Sequence, residues 1–466
     1  MSENNIYVDY DKLLLLFENR QYTTLMNELD ELTPIDAAEF LSNLPIEKLP
    51  LMFRMLKKDL AADIFAELDV DLQEKLIEKM TDREISDMLE ELYTDDAVDM
   101  LEEMPASVVH RILKSVNSQT RAEINRFLSY PDGSAGSIMT SEFLDLKKEM
   151  TCTEAAQRIR KIGLDKETVY VAYVIDKKRV LEGVVPLKSL LFANPDDKIE
   201  DIMNPNVLYA YTHDDRETVA NMISRYDILA LPITDKEQRL VGIVTVDDAL
   251  DVLEDEATED IEKMAAILPT DKPYMKTGIW ETWKKRVPWL LLLMLTATFT
   301  STIITHYESA IGTYAILTAF VPMLMNTGGN AGSQSSVTIV RGLSLGEIEM
   351  RDVLRVLIKE ISVSVLCGIT LAAATFLKVM ALDFRFQASS VLESGMIQNN
   401  LQIAAVISIT VFFGIVIAKI VGALLPILTK RIGLDPAVMA SPFITTIVDT
   451  VTLIIYFSVA TVILHI

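Results

Sequence analysis

The sequence is poor in the residues on which enzymes and secreted proteins commonly depend. Two cysteines, Cys152 and Cys367, cannot build a disulfide framework, which fits a cytosolic and membrane setting. Four histidines, His110, His213, His306 and His465, stand singly, so no His/Cys ligand spacing for zinc exists. There is no GxxxxGK[ST] phosphate loop and no activated nucleophile with a base, which makes an enzyme the least favoured class. Basic residues are the minority, 43 Lys and Arg against 67 Asp and Glu, a formal charge of −24. Such acidity argues against nucleic acid and points to cations as partners. The start, MSENNIYVDYDK, lacks a basic and apolar leader, so the N-terminus is expected in the cytoplasm.

What is present is segregated. Half of the 466 residues are hydrophobic, yet 24% are charged. From Val287 onward nine Lys/Arg balance nine Asp/Glu, so the whole charge of −24 lies on residues 1–286. An acidic soluble part therefore precedes a neutral membrane part.

Residues 1–130 read as an acidic helical N-domain. Short amphipathic units recur at 36–45, 59–68, 83–92 and 95–104, with apolar residues at i, i+3/i+4. Such near-repeats predict a stacked helical superstructure. Asp95 and Asp99 share one helical face and are candidates to hold a cation jointly. A clearer repeat follows. Ile138-Met139 and Ile202-Met203 lie 64 residues apart, and each opens a strand–helix–strand–strand–helix pattern. The layout over 137–257 resembles a tandem pair of CBS modules. That family's nucleotide motif is met in the second copy by Gly242, Ile243, Val244, Thr245 and Asp248. The resemblance puts Thr245 on phosphate and Asp248 on ribose hydroxyls, and makes ATP a candidate cofactor. The first copy departs from it, with Pro186 and Ser189 in those places.

Residues 247–286 form an acidic connecting helix and an amphipathic approach to the membrane, with Trp280 and Trp283 at interfacial positions. Five apolar segments follow, at about 288–306, 313–340, 354–380, 401–428 and 436–464, each long enough to cross ~30 Å of hydrocarbon. Lys284, Lys285 and Arg286, then Arg341, Arg351 and Arg355, then Lys430 and Arg431, put the N-terminus in the cytoplasm and the C-terminus outside.

Inside these segments Asp449 is the sharpest signal, because an intramembrane carboxylate is costly and usually functional. Ser441, Thr445 and Asp449, at i, i+4 and i+8, give one helix face two hydroxyls and a carboxylate. The alternative is an internal ion pair between Asp449 and Lys419. Oxygen ligands without imidazole favour hard ions, and one carboxylate suits Mg²⁺ held through its water shell. The stretch MLMNTGGNAGSQSS joins Gly328, Gly329 and Gly332 to Asn326, Asn330 and Gln334. The glycines permit a helix break or a close helix approach, the amides an aqueous lining, and Pro322 favours a kink.

The order of parts, with PMLMNTGGNAGSQS and LDPAVMASPFITTIVD as two membrane motifs, resembles the MgtE family of magnesium channels/transporters over essentially the whole chain. The resemblance implies a homodimer with its pore between the two membrane domains (287–466) and CBS pair against CBS pair. It implies that Asp449 binds hydrated Mg²⁺, helped at positions matching Thr445 and Ser441; the family uses Asn where this chain has Ser441. It also implies closure by intracellular Mg²⁺ bridging acidic side chains. Matching positions are Asp95 and Asp99 in the N-domain, and Asp215, Glu217, Asp227, Asp248 and Asp251 in the CBS pair. On the connecting helix they are Glu256, Glu259 and Asp260, with Asp435 opposite, at the cytoplasmic mouth.

The expected fold is multidomain: an α-helical superhelical N-domain, an α/β tandem CBS pair, an acidic connecting helix and a five-helix transmembrane domain. The expected function is a Mg²⁺ channel/transporter of the inner cell membrane, gated by cytoplasmic Mg²⁺. Its rivals are a carrier of another hard divalent ion, Mn²⁺ or Co²⁺, and a non-conducting CBS-type membrane sensor.

Overall fold

Threonine and asparagine caps cut the N-terminal part into short helices. Thr33 accepts the Asp36 N–H before Pro34, Thr81 and Glu84 form a reciprocal capping box, and Asn117 takes the N–H groups of Gln119 and Thr120. The computed structural model describes residues 8–270, 274–275, 277–307, 316–383, 396–439 and 441–465; the side chains of 103, 383, 396–399, 439 and 441 also lie outside the described residues. The chain divides into two units, Met1–Leu253 and Glu254–Ile466.

The first unit begins with α1 (Tyr10–Glu18), α2 (Tyr22–Asp30), α3 (Pro34–Ser42), α4 (Leu49–Phe53), α5 (Lys58–Ala66), α6 (Val70–Lys79), α7 (Asp82–Leu89), α8 (Thr94–Glu103), α9 (Ala106–Ser115) and α10 (Ser118–Phe127). Each is too short to be stable alone, so packing holds them. Leu25, Leu41, Ile64 and Phe65 share one buried cluster with Val219, Leu231, Val244 and Val252 from the second half of the repeat. The N-terminal helices and the second repeat copy thus have a common core.

The repeat is α/β. β1 (Leu144–Leu146), α11 (Cys152–Ile162), β2 (Val171–Ile175), β3 (Leu181–Pro186) and α12 (Leu187–Phe192) make the first copy. After α13 (Ile199–Ile202), the second has β4 (Ala210–Tyr211), α14 (Arg216–Tyr226), β5 (Ala230–Thr234), β6 (Leu240–Thr245) and α15 (Val246–Met264). Each copy has a three-stranded sheet, one parallel and one antiparallel pairing, in the order β1-β2-β3 or β4-β5-β6. The 64-residue echo has a structural cause, because each copy lends its leading segment to the other's sheet. Thr140 bridges to Ile243, and Val184 to Asn204. At both crossings a methionine lies where a glycine leaves space: a Cβ on Gly242 would sit 2.8 Å from the Met139 sulfur, and one on Gly183 2.8 Å from the Met203 sulfur.

Among the described residues the second unit has five long helices: α16 (Ile279–His306), α17 (Ile316–Ser344), α18 (Val353–Lys378), α19 (Met396–Arg431) and α20 (Ser441–Leu464). Four of them, all but α17, are apolar and long enough to cross a membrane among the described residues. α17 has the length, 29 residues, but its amides dilute its hydropathy. The helix break that the glycine-rich stretch permitted does not occur, since α17 runs unbroken through Pro322 and the glycines. The glycines serve close approach instead. Gly328, Gly329 and Gly332 abut Val448, Thr445 and Ile444 of α20, and a Cβ on Gly422 of α19 would run into the Gly332 carbonyl oxygen. Val448, Leu453, Tyr456 and Phe457 of α20 complete this core, and the Tyr456 hydroxyl donates to the Leu317 carbonyl at 2.9 Å.

Backbone meets backbone at Gly422, so the crossing cannot yield to a side chain. Gly422→Val is expected to cost about 1–3 kcal/mol or more by overpacking. Thermal unfolding of the detergent-solubilised chain should show it as a lowered midpoint. Gly278→Ala, where a Cβ meets nothing within 4 Å, should leave the midpoint unchanged. Equal midpoints for both variants would contradict this packing.

Candidate functional site

Asp449 lies eight residues into α20, about 12 Å along its axis. It is half-buried, and its Oδ1 is sealed from solvent without a hydrogen-bond partner. Among the described residues no cation pairs with it. The alternative ion pair to Lys419 is not formed: the buried Lys419 ammonium donates to the Ser335 hydroxyl at 3.3 Å, and Ser335 donates to Glu360 at 2.6 Å. Thr445 packs on Gly329, while Thr446 and Thr450 spend their hydroxyls on the helix's own carbonyls. The side chain of Ser441 lies outside the described residues.

On α17 glycines and amides occupy different faces. The glycines are buried, whereas Asn326, Asn330 and Gln334 are exposed along one stripe, with Asn330 donating to Asn326 at 3.3 Å. Asn330 and Gln334 line a cavity of about 800 Å³ with Ser335, Glu360 and Lys419. Glu360, an ionisable residue within an apolar segment, carried the same sequence signal as Asp449 but escaped sequence reading.

At the head of this unit, Lys263 of α15 joins Glu259 at 2.5 Å to Asp435 at 2.6 Å. Asp260 accepts a hydrogen bond from Ser344 at 2.9 Å, and burial raises its pKa. Glu256 is half-buried. Asp435 is thus bound to the connecting helix through a lysine that sequence reading did not single out.

In the first unit carboxylates converge. Asp95 on α8 is buried, and its Oδ1 has no partner. Burial, then the charges of Asp248, Asp96 and Glu167, push its pKa well above the usual carboxylate range. Asp96 is pushed up to about 6 and Glu167 to about 8, by burial first and then by Asp248. Burial also raises Asp248, although the Thr245 hydroxyl donates to it at 2.5 Å. Glu167 Oε2, like Asp95 Oδ1, is buried and unpartnered. The charges acting most strongly on each of these groups belong to other carboxylates. Glu142 anchors the start of α8 by accepting from the Thr94 hydroxyl at 2.8 Å.

Of the sequence candidates, the structure brings Asp95 and Asp248 together. Asp99 is exposed, unlike Asp95, and Asp251 is exposed. Asp215 caps α14, accepting the Thr218 N–H at 3.0 Å; Glu217 lies in the same first turn, half-buried. Asp227 ends α14 in the left-handed region and is exposed. Asp96 and Glu167 were missed. Glu167 sits in an irregular segment, where no period marks it. Among the described residues no three His, Cys, Asp or Glu side chains form a preformed metal cage. The unpartnered oxygens suit a hard cation that keeps part of its water shell.

The model of the divalent cation transporter family MgtE matches residues 321–459, the MgtE intracellular N domain matches 32–133 and a CBS domain matches 199–255. The chain is 37% identical to "Magnesium transporter MgtE" of Thermus thermophilus over 95% of both chains. It is 29% identical to the Bacillus subtilis protein of that name over 98% of both. A crystal structure of the soluble part of a magnesium transporter, 34% identical, aligns with TM-score 0.51 over 53% of this chain and 98% of its own.

A carboxyl whose pKa is raised by folding binds its proton more tightly in the folded state. The penalty is absent below the unfolded value of about 4. It grows as pH rises from there and is complete above the folded values, about 6 for Asp96 and about 8 for Glu167. With chelator present, amide-exchange protection of α8, corrected for intrinsic rates, should therefore fall from pH 5 to 8.5, by roughly tenfold or more in all. Glu167→Gln should flatten the upper part of that fall. Protection that is flat or rising with pH would contradict the assignment.

Proposed function

The chain belongs to the MgtE family of magnesium transporters, and on that premise we propose a homodimeric Mg²⁺ channel or transporter governed by Mg²⁺ on its acidic soluble unit. The single observation that carries the conducting part is Asp449, a half-buried carboxylate in a membrane helix without a counter-cation among the described residues. Mg²⁺ is the cargo. Its size and reluctant dehydration favour passage with water retained, so Asp449 acts as an acceptor for the hydrogen bonds of that water. Thr445, one turn earlier, and Ser441, two turns earlier, extend the same face. The stripe Asn326–Asn330–Gln334 supplies further neutral acceptors, which hold a hydrated ion without trapping it.

The chain is a multi-pass membrane protein. In the proposed arrangement the N-terminus is cytoplasmic and the C-terminus outside, in a bacterial-type inner membrane. Residues 1–130, 137–257, 247–286 and 287–466 are the working domains. Intracellular Mg²⁺ settles among Asp95, Asp248 and their neighbours Asp96 and Glu167, and near Glu256, Glu259, Asp260 and Asp435, and closes the pore. Asp99, Asp215, Glu217, Asp227 and Asp251 belong to the same regulatory surface. Each such site is weak; together they shift the open–closed balance by their difference in affinity for the two states. ATP is the ligand proposed for Thr245 and Asp248, which must exchange their mutual hydrogen bond for nucleotide contacts.

Asp449→Ala should lower Mg²⁺ uptake into liposomes by at least about tenfold, the scale of losing one strong electrostatic contact in a low-dielectric path. Asp449→Asn should also weaken it, and both variants should retain their folded yield. Parallel Mn²⁺ and Co²⁺ uptake measures selectivity. Undiminished Mg²⁺ flux through folded Asp449→Ala would remove Asp449 from the pathway.

A further inference from the structure

The turn that joins α15 to α16 is tied into a small pocket. The Leu268 N–H donates to the Lys285 carbonyl at 3.1 Å, and the Lys285 ammonium donates to the Pro269 carbonyl. The Thr270 N–H donates to Glu262 at 2.9 Å, engaging the one carboxylate on the rim among the described residues. A cavity of about 280 Å³ remains, walled by Thr258, Thr277, Thr282, Lys285 and Arg286 beside Tyr274. Arg286 has no hydrogen bond or ion pair among the described residues, and Lys263, the nearest cation on α15, is already held by Glu259 and Asp435. The pocket therefore offers two cationic side chains and threonine hydroxyls, that of Thr282 already donating to the Gly278 carbonyl at 3.1 Å, with one acid held by a backbone N–H.

Its depth in the membrane is marked by two independent features. Trp280 and Trp283 are 64% and 49% exposed and stack with centroids 4.5 Å apart, with the Lys284 ammonium 5.9 Å from the Trp280 ring. Exposed tryptophans beside lysine are characteristic of the headgroup layer. Leu290, Leu291, Met294 and Leu295 then expose apolar surface on the same helix. Leu290 is five residues, about 7.5 Å, beyond Lys285. The pocket opens at headgroup level.

We propose that this cavity binds the headgroup of an anionic phospholipid, its phosphate on Lys285 and Arg286 and its polar head on the hydroxyls of Thr258, Thr277 and Thr282. Its walls come from both the end of α15 and the start of α16. A bound lipid therefore fastens the connecting helix to the bilayer, and the anionic-lipid content of the membrane becomes an input to that helix.

The test uses the full chain in nanodiscs of phosphatidylcholine with graded phosphatidylglycerol, reading retained lipid by native mass spectrometry. Wild type should retain phosphatidylglycerol preferentially. Arg286→Gln, which breaks no hydrogen bond or ion pair among the described residues, should lower that preference by about fivefold, and Lys285→Gln/Arg286→Gln further. Lys284→Gln, on the tryptophan side, should leave it in place. Equal retention of the two lipids overturns the proposal. So does an equal loss in Lys284→Gln and Arg286→Gln, which would mean diffuse surface attraction. Displacement by millimolar glycerol phosphate or inorganic phosphate would assign the pocket to a soluble anion and overturn it as well. Lipid retention is read without transport, so a negative result leaves the conducting role of Asp449 untouched.

Discussion

Negative charge held where water is scarce, with no cation answering it among the described residues, is the constraint on which this molecule turns. Burial displaces the carboxyls of Asp95, Asp96, Glu167 and Asp248 toward the protonated form; the charge of Asp248 then adds to the first three, and those of Asp247 and Asp251 to Asp248 itself. A lysine among them would have made the cluster a permanent salt-bridge network, indifferent to ions. Among the described residues none is there, which leaves a repulsion that a proton or a small hard cation relieves. A divalent cation does so most fully, because one ion answers two carboxylates. The same pattern recurs at Asp449, whose buried Oδ1 has no hydrogen-bond partner among the described residues; in the proposed function that partner is the cargo.

Such charges are tolerable only on a rigid frame. In the first unit the frame is the reciprocal exchange of Met139 against Gly242 and Met203 against Gly183, with the N-terminal helices sharing the second copy's core. In the second it is the backbone contact of Gly332 with Gly422 and the buried Tyr456 hydroxyl on Leu317. Both frames fix the positions of carboxylates that would otherwise move apart. In the proposed function, cation binding to carboxylates held in this way acts on domain arrangement rather than on side-chain rotamers.

Local and periodic signals carried most of the fold. The amphipathic units of the N-terminal part, the 64-residue repeat and the apolar segments each depend on neighbours in sequence; the units and the repeat became the helices and the paired α/β copies expected, and among the described residues four of the five apolar segments became helices apolar enough to cross a membrane. Asp449 was legible because an acid in an apolar run is rare. Glu360 carried that same signal and still went unread. α17 shows an ambiguity that sequence leaves open: its glycines permitted either a break or a close helix approach, and packing against α19 and α20 took the second and kept the helix whole. Glu167, Asp96 and Lys263 were invisible for another reason. Their meaning arises from what folding sets beside them, Asp248 for the first two and Asp435 for the third, and no spacing in the chain encodes that. Asp215 reads as an acidic candidate in sequence, and in the structure it also caps α14.

The central claim is that divalent cation on the soluble side relieves carboxylate repulsion and closes the pore. Single-channel recording from excised patches tests it most directly, with Mg²⁺ raised on the face bearing the soluble unit and ionic strength held constant with KCl. Open probability should fall as Mg²⁺ rises, and KCl alone at matched ionic strength should not reproduce the fall. Open probability that ignores Mg²⁺, or falls equally with KCl, would contradict the account, because the acidic surfaces would then respond only to general screening.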